Sequence, residues 1–287
     1  MTKKYSTYLK ERFGARVHKV SVDAGFSCPN RDGSLSKDGC IYCDNRSFSF
    51  QNRNQAKPSL AAQIEQGIEA MRRRFKAEKF IVYFQAYTNT YASIDELRQR
   101  YDTVKQFKDV VGISIATRPD CVDKNILEFI AGYAGGYEVW LEYGLQSIHE
   151  STLKIINRGH SYQDFLKAVE MTREYNMKIC AHIILGLPHE TEGMMLDTAK
   201  ELCRLKIDGI KIHPLHIIKG TDLERMYLQG LYTPFPLHSY KKLLSGFANC
   251  LWQDTLIQGT GAYCPRDMLV LPDSLQEANM LGRALIA

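Results

Sequence analysis

The chain has 287 residues, of which 45% are apolar and 24% charged, with a formal net charge of +5. Those proportions suit a globular chain whose core can offset the conformational entropy lost on folding. No run of eighteen uncharged apolar residues occurs, and the first eight residues are basic without an apolar stretch, so neither a membrane span nor a secretory leader is expected and a cytoplasmic location is.

Strand-like and helix-like patterns alternate along the chain. Val17–Val22 reads as a first strand, followed by a polar loop through Asn54. A helix is predicted from about Ser59 to Phe75, because Leu60, Ile64, Ile68, Met71 and Phe75 share one face at steps of three and four. Phe80–Phe84 is a short apolar strand. Ser93 and Glu96 have capping-box spacing, which opens a helix with Leu97, Tyr101 and Val104 inward. Val111–Ala116 is a third strand, stopped before Pro119. A helix around Lys124–Ile130, a strand over Glu138–Gly144 and helices near Glu150–Ile156 and Tyr162–Tyr175 follow. Lys178–Leu185, the helix Thr191–Leu205 and Gly209–Ile217 complete six strand–helix units; a helix over Ser239–Leu251 and a strand over Thr255–Gln258 come last.

The alternation predicts an α/β fold, an incomplete (β/α)6 barrel of TIM type. Residues 1–222 would form this barrel, including a basic N-terminal arm (Lys3, Lys4, Lys10, Arg12, Arg16, Lys19), and residues 223–287 an extension packed on it. Arg72, Arg73, Arg74 and Lys76 crowd one helix end, where they complement the helix dipole. In barrels of this kind chemistry sits at the C-terminal ends of the strands.

Three of the eight cysteines fall in one loop: Cys28 and Cys40 are separated by eleven residues, Cys40 and Cys43 by two. Cys121, Cys180, Cys203, Cys250 and Cys264 are scattered, which is no disulfide framework. Three thiolates in one loop suit a soft metal centre. A structural zinc ion would want a fourth ligand. A [4Fe–4S] cluster held by three cysteines keeps one iron open for the amino and carboxylate groups of S-adenosylmethionine (SAM). Spacing alone leaves both readings standing.

The loop Cys28-Pro-Asn-Arg-Asp-Gly33 with Gly39-Cys-Ile-Tyr-Cys43 resembles the YhcC/YtqA-type radical SAM family, in which the usual three-residue first spacing is widened. Further blocks carry the resemblance in order: Tyr83–Tyr91, Gly112–Asp120, Trp140–Ser147, Ile156–His160 and His182–Pro188. They also look like the radical SAM core of the elongator catalytic subunit and of oxygen-independent coproporphyrinogen oxidase. The resemblance implies that Cys28, Cys40 and Cys43 ligate one [4Fe–4S] cluster. Tyr42 would lie near the adenine of SAM, Gln85 near the methionine amino group, Glu142 near polar groups of SAM, and Arg158 against the methionine carboxylate, where a fork of donors fits. Backbone groups at Gly186 and Leu187 would hold the adenine. Each has a plainer reading. Gln85, Glu142 and His182 could be satisfied interior residues, Arg158 a surface partner of Asp164, and Gly186 a strand-ending turn.

The resemblance also implies reductive cleavage of SAM to a 5′-deoxyadenosyl radical, fed by a flavodoxin- or ferredoxin-type donor. The implied substrate is tRNA, with 5-carboxymethylaminomethyl-(2-thio)uridine at the wobble position converted to 5-aminomethyl-(2-thio)uridine. The basic arm and the 16 tyrosines could serve RNA. No second Cys-x-x-Cys exists for a second cluster, which argues against methylthiolation. A porphyrin-like small metabolite as substrate, or a zinc-site RNA-binding protein, are the alternatives. After Pro265–Pro272 the tail departs from the family pattern, so no substrate contact is carried over there.

Overall fold

A computed structural model describes residues 4–47, 57–261 and 264–271, with only the backbone of Leu237 and His238. Lys3, the middle of the polar loop and the tail from Pro272 lie outside the described residues. The elements in order are α1 (Tyr5–Phe13), β1 (Val17–Val22), α2 (Leu60–Phe75), β2 (Lys79–Phe84), α3 (Ile94–Tyr101), β3 (Val110–Thr117), α4 (Lys124–Ala131), β4 (Glu138–Gln146), α5 (Glu150–Ile155) and α6 (Tyr162–Arg173). The second half holds β5 (Lys178–Leu185), α7 (Glu192–Arg204), β6 (Gly209–Pro214), β7 (Ile217–Ile218), α8 (Asp222–Leu228), α9 (Leu237–Asn249), β8 (Leu256–Gly259) and β9 (Leu269–Leu271).

Seven strands form one sheet in the order β1-β2-β3-β4-β5-β6-β8, every pairing parallel. The sheet curls into a half-barrel, the incomplete barrel expected, with β8 as a seventh strand. Helices cover its outer face through Ile64, Ile68, Leu97, Leu127, Phe165, Met195 and Phe247. The helix starts obey local chemistry. Ser93 and Ser161 each make a capping box, with Glu96 and Asp164, and Ser59, Asp123, Thr191 and Thr221 each cap a backbone N–H. Among the described residues, no helix is long and apolar enough to cross a membrane.

Four expectations change. The run Gly209–Ile217 is not one strand. Its ladder stops at Pro214, which has no N–H to offer, and Ile217–Ile218 pairs antiparallel with β9 in a second sheet. The segment Asp222–Leu228 is an unforeseen helix, too short to show a period. The α3 face continues through a 3₁₀ turn, which carries Val104 into the core. Of the basic arm, Lys10 and Arg12 lie on helix α1, which is anchored to the fold, and Lys19 lies on β1. Tyr5 and Leu9 are buried with Val17, Ile81, Trp140, Cys180 and Leu256, and the Tyr5 and Trp140 rings meet edge-on at 5.4 Å. Lys4 bridges to Ile257 of β8, and Tyr8 and Arg12 bond Glu138, so α1 plugs the N-terminal mouth of the half-barrel. Its basic residues therefore stand at the end away from the cysteine loop.

Candidate active site

Side chains of a strand alternate between its two faces, so the barrel interior is built in layers two residues apart. The bottom layer is apolar: Val17, Ile81, Trp140, Cys180 and Leu256 over the α1 plug. Two residues on along β1, β2, β4, β5, β6 and β8 lie Lys19, Tyr83, Glu142, His182, Lys211 and Gln258, and all six line a cavity of about 720 Å³. Two residues further come Ser21, Gln85, Gly144, Ile184 and His213, which form its walls. The cysteine loop, which follows β1, makes the rim with Cys28, Cys40, Tyr42 and Cys43.

Loop-to-loop hydrogen bonds fix the rim. The N–H groups of Arg31 and Asp32 donate to the Cys28 carbonyl (2.8 and 3.0 Å), and that of Cys43 to the Cys40 carbonyl (2.9 Å). Arg31 reaches across to the Cys43 carbonyl. The segment after α5 ties this loop to the barrel. Ile41 N–H donates to Ile156 O (3.1 Å), Asn157 Nδ2 to Gly39 O (2.7 Å), and Asn30 Nδ2 to Asn157 O (2.6 Å). Arg158 is buried rather than paired with Asp164, whose carboxylate is taken by Ser161. Its guanidinium donates to Gly144 O (2.8 and 3.2 Å) and reaches Cys40 Sγ at 3.5 Å. Gly144 is what lets it through: a Cβ there would stand 2.6 Å from Arg158 Nη2. Arg118, itself 2% exposed, supports the same turn by donating to Arg158 O at 2.8 Å.

The donor set fits an iron–sulfur cluster. Asn30 Nδ2 stands 3.5 Å from Cys40 Sγ and Asn45 Nδ2 4.0 Å from Cys43 Sγ. N–H donors and guanidinium groups beside thiolates offset the negative charge such a cluster carries. Burial, then Cys40, pushes the Cys43 thiol up to about 11. Burial opposes the charge of Arg158, but Cys40 and Tyr42 outweigh it and its pKa is raised. A single zinc ion holds its sulfurs at about 2.3 Å, so they must lie close together. Among the described residues, the compact group with ligand atoms within 4.8 Å is Glu142, Cys180 and His182, not the loop cysteines. That group is no cation site either, because two ammonium groups already occupy Glu142.

Glu142 is fully buried. Its oxygens are bonded by Lys19, Ser114, Lys211 and, at 2.7 Å, His182 Nε2. Burial would raise its pKa, but Lys19 and Lys211 outweigh burial and hold it well below the usual carboxylate range. Burial lowers Lys19 to about 8 despite Glu142. Burial also opposes Lys211, but Glu142 and then Tyr83 outweigh it and raise its pKa. Burial, then Lys211, lowers His182 to about 4, and burial with His182 takes His213 well below its ordinary value, so both rings are neutral near pH 7.

Seven of the nine residues singled out from sequence thus meet around one cavity: Cys28, Cys40, Tyr42, Cys43, Gln85, Glu142 and Arg158. Gly186 and Leu187 line a separate cavity of about 160 Å³. There Gly186 N–H faces Met195 Sδ (3.2 Å) and Gly186 O accepts from Tyr232 (2.8 Å). Lys19, counted with the basic arm, is an interior residue. Lys211 and Gln258 were missed, although a lysine at an inward step of an apolar strand is the signal that finds Lys211. His160 Nε2 donates to Gly144 O (2.9 Å) behind the wall.

The description "Radical SAM superfamily" matches residues 28–202, and "Radical_SAM C-terminal domain" matches 207–282, which takes in most of the tail set apart from sequence. The Bacillus subtilis (strain 168) protein YtqA is 41% identical over 231 residues, 79% of this chain and 71% of that protein. A tRNA uridine(34) acetyltransferase of Methanocaldococcus infernus is 32% identical over 147 residues, 50% of this chain and 26% of that protein. The solved structure of Elp3 from Methanocaldococcus infernus superposes with a TM-score of 0.67 at 20% identity, over 94% of this chain and 62% of that one, a likeness of fold. This chain therefore spans less than two thirds of that structure.

Proposed function

Because the chain belongs to the radical SAM superfamily, we propose that it uses SAM cleavage to modify tRNA, converting 5-carboxymethylaminomethyl-(2-thio)uridine at the wobble position to 5-aminomethyl-(2-thio)uridine; SAM cleavage takes two electrons from the methylene, and water then splits the carbon–nitrogen bond so that the two-carbon unit leaves as glyoxylate. Enzymes of this superfamily take one [4Fe–4S] cluster and SAM, and both are cofactors here. When bound, that pair supplies a 5′-deoxyadenosyl radical able to take hydrogen from an unactivated carbon.

The chain's own residues would divide the work. Cys28, Cys40 and Cys43 hold the cluster at the rim. Arg158, charged and aimed along the wall, pairs with the methionine carboxylate, Gln85 meets its amino group, and Tyr42 lies by the adenine. Glu142 would lie near the polar groups of SAM without bonding them, because Lys19, Ser114, Lys211 and His182 already take its oxygens. Gly186 and Leu187 would serve the adenine once the Tyr232 and Met195 contacts open. The plug below and the layered walls shield the reacting carbon from bulk water. Residues 1–222 would be the catalytic unit, to which the described part of the segment from 223 lends β8. A flavodoxin- or ferredoxin-type protein delivers the electron.

The observation that carries the reading is the single cavity joining three cysteines to a wall and floor of charged groups. The tRNA substrate is supported by likeness to a protein named for tRNA uridine(34). The arm lends it no support, because α1 sits at the opposite mouth. Anaerobic reconstitution with SAM, dithionite and tRNA bearing the carboxymethylaminomethyl group tests it. Expected are 5′-deoxyadenosine and, by nucleoside mass spectrometry, 5-aminomethyluridine. An unchanged wobble nucleoside beside SAM cleavage would sink the substrate assignment.

A further inference from the structure

The floor of the cavity carries more positive than negative charge. Lys19 and Lys211 both bond Glu142, the imidazoles of His182 and His213 are neutral, and so two ammonium groups share one carboxylate. Glu142 keeps no exposed side-chain surface, while Lys19, His182 and Lys211 keep 17%, 15% and 12% and line the cavity. The carboxylate is thus sealed beneath its partners, and the surface left open is cationic. Lys211 lies over the face of Tyr83, 3.8 Å from the ring centre, and Lys19 Nζ also donates to Gln258 Oε1 at 2.6 Å. Neither lysine is free to swing to bulk water. A buried excess charge is costly unless something compensates it.

We propose that this floor is a receptor for one carboxylate carried by the substrate, hydrogen-bonded by Lys211 and attracted by the charge of Lys19, whose three N–H donors are taken by Ser114, Glu142 and Gln258, with Glu142 as the positioning residue that holds the two ammonium groups side by side. The inference rests on the reading that the substrate reacts within this cavity. The excess is a single charge, which one carboxylate neutralises and a phosphate dianion would overshoot. The floor lies a strand layer or more below the cysteine rim, so a substrate anchored there by its acid end presents the adjoining carbons toward the rim. A glycine-like N-carboxymethyl group has that shape: one carboxylate and, next to it, a methylene.

The charge arithmetic predicts an unusual tolerance. Removing Lys211 leaves Lys19 and Glu142 as a balanced pair, so Lys211→Met keeps the fold and loses the receptor. The pH dependence follows from Lys19. Facing it are Glu142 from β4, Ser114 from β3, Tyr83 from β2, Cys180 from β5, Lys211 from β6, Gln258 from β8 and Tyr5 from α1. A bound anion raises the pKa of Lys19, so binding is level below about pH 8 and weakens as pH rises above it, where the unliganded lysine loses its proton.

The test uses reconstituted, SAM-loaded enzyme and two acid–ester pairs: 5-carboxymethylaminomethyluridine with its methyl ester, and N-benzylglycine with its methyl ester. Calorimetric titration should show an acid preferred over its ester by roughly ten- to a hundredfold in the wild type, and no preference in Lys211→Met. Lys19→Met serves as the second variant and should reduce the preference and abolish its fall above pH 8. A preference for N-benzylglycine alone upholds the receptor while removing the wobble uridine as substrate. No preference for either acid, or a preference that survives Lys211→Met, overturns the receptor even if tRNA is turned over.

Discussion

The two ends of the cavity are built by opposite means. The cysteine rim is one loop held by hydrogen bonds to another, Cys28–Cys43 stitched to Ile156–Arg158, with polar groups aimed at sulfur and carbonyl oxygen. The floor draws one residue from each of several strands, and it is governed by charge: Glu142 from β4 gathers Lys19 from β1, Ser114 from β3, His182 from β5 and Lys211 from β6. The rim can lose a donor and keep its shape, because neighbouring bonds remain. The floor cannot change charge without consequence, because water does not screen it.

That contrast can be broken most sharply at the rim. Cys40→Ala should abolish the visible Fe–S absorbance and 5′-deoxyadenosine formation altogether, while Lys211→Met keeps the absorbance. Loss of the absorbance in both would mean that the two ends are not separable. At the floor, Glu142→Gln leaves two buried ammonium groups uncompensated and should cost about 3–5 kcal/mol near neutral pH. The sign with pH is fixed: the folded variant sheds lysine protons that the unfolded chain keeps, so its stability rises with pH toward the ordinary lysine range. Urea unfolding at pH 6 and pH 9 checks this, and an equal loss at both would show that charge does not govern the floor.

A smaller effect is expected where the ends meet. In Gly144→Ala the new methyl collides with Arg158 Nη2, since a Cβ would lie 2.6 Å away. Displacing the guanidinium should cost about 1–3 kcal/mol and weaken SAM binding measured by calorimetry. Unaltered SAM affinity would release Arg158 from its assigned role. Smallest is Ser93→Ala, which removes the cap of α3 at a residue that lines neither cavity. It should cost about 1 kcal/mol in urea unfolding and leave 5′-deoxyadenosine formation as it was.

The rim was legible in the chain because its parts are local. Three cysteines in sixteen residues, and an Asn-Arg-Gly turn, need no fold to be noticed. Glu142 and His182 were noticed singly, but their shared partners were not. Lys19 lies 123 residues from Glu142, and Lys211 lies 69 from it on the other side, so nothing in either neighbourhood announces the pairing. Helix α1 was read as a charged arm because its two buried residues, Tyr5 and Leu9, are too few to set a period.

The amino-acid sequence by itself determined the alternation of strands and helices, the caps that start the helices, and the grouping of three thiols in one loop. Each depends on residues within a few steps of one another, where the backbone period and side-chain chemistry act directly. Only the tertiary structure decided that α1 closes the lower mouth, that Gly186 faces a different cavity, and that two lysines converge on one glutamate. Those outcomes depend on which strands become neighbours and how far the sheet curls, and the energies that decide them are summed over the whole core.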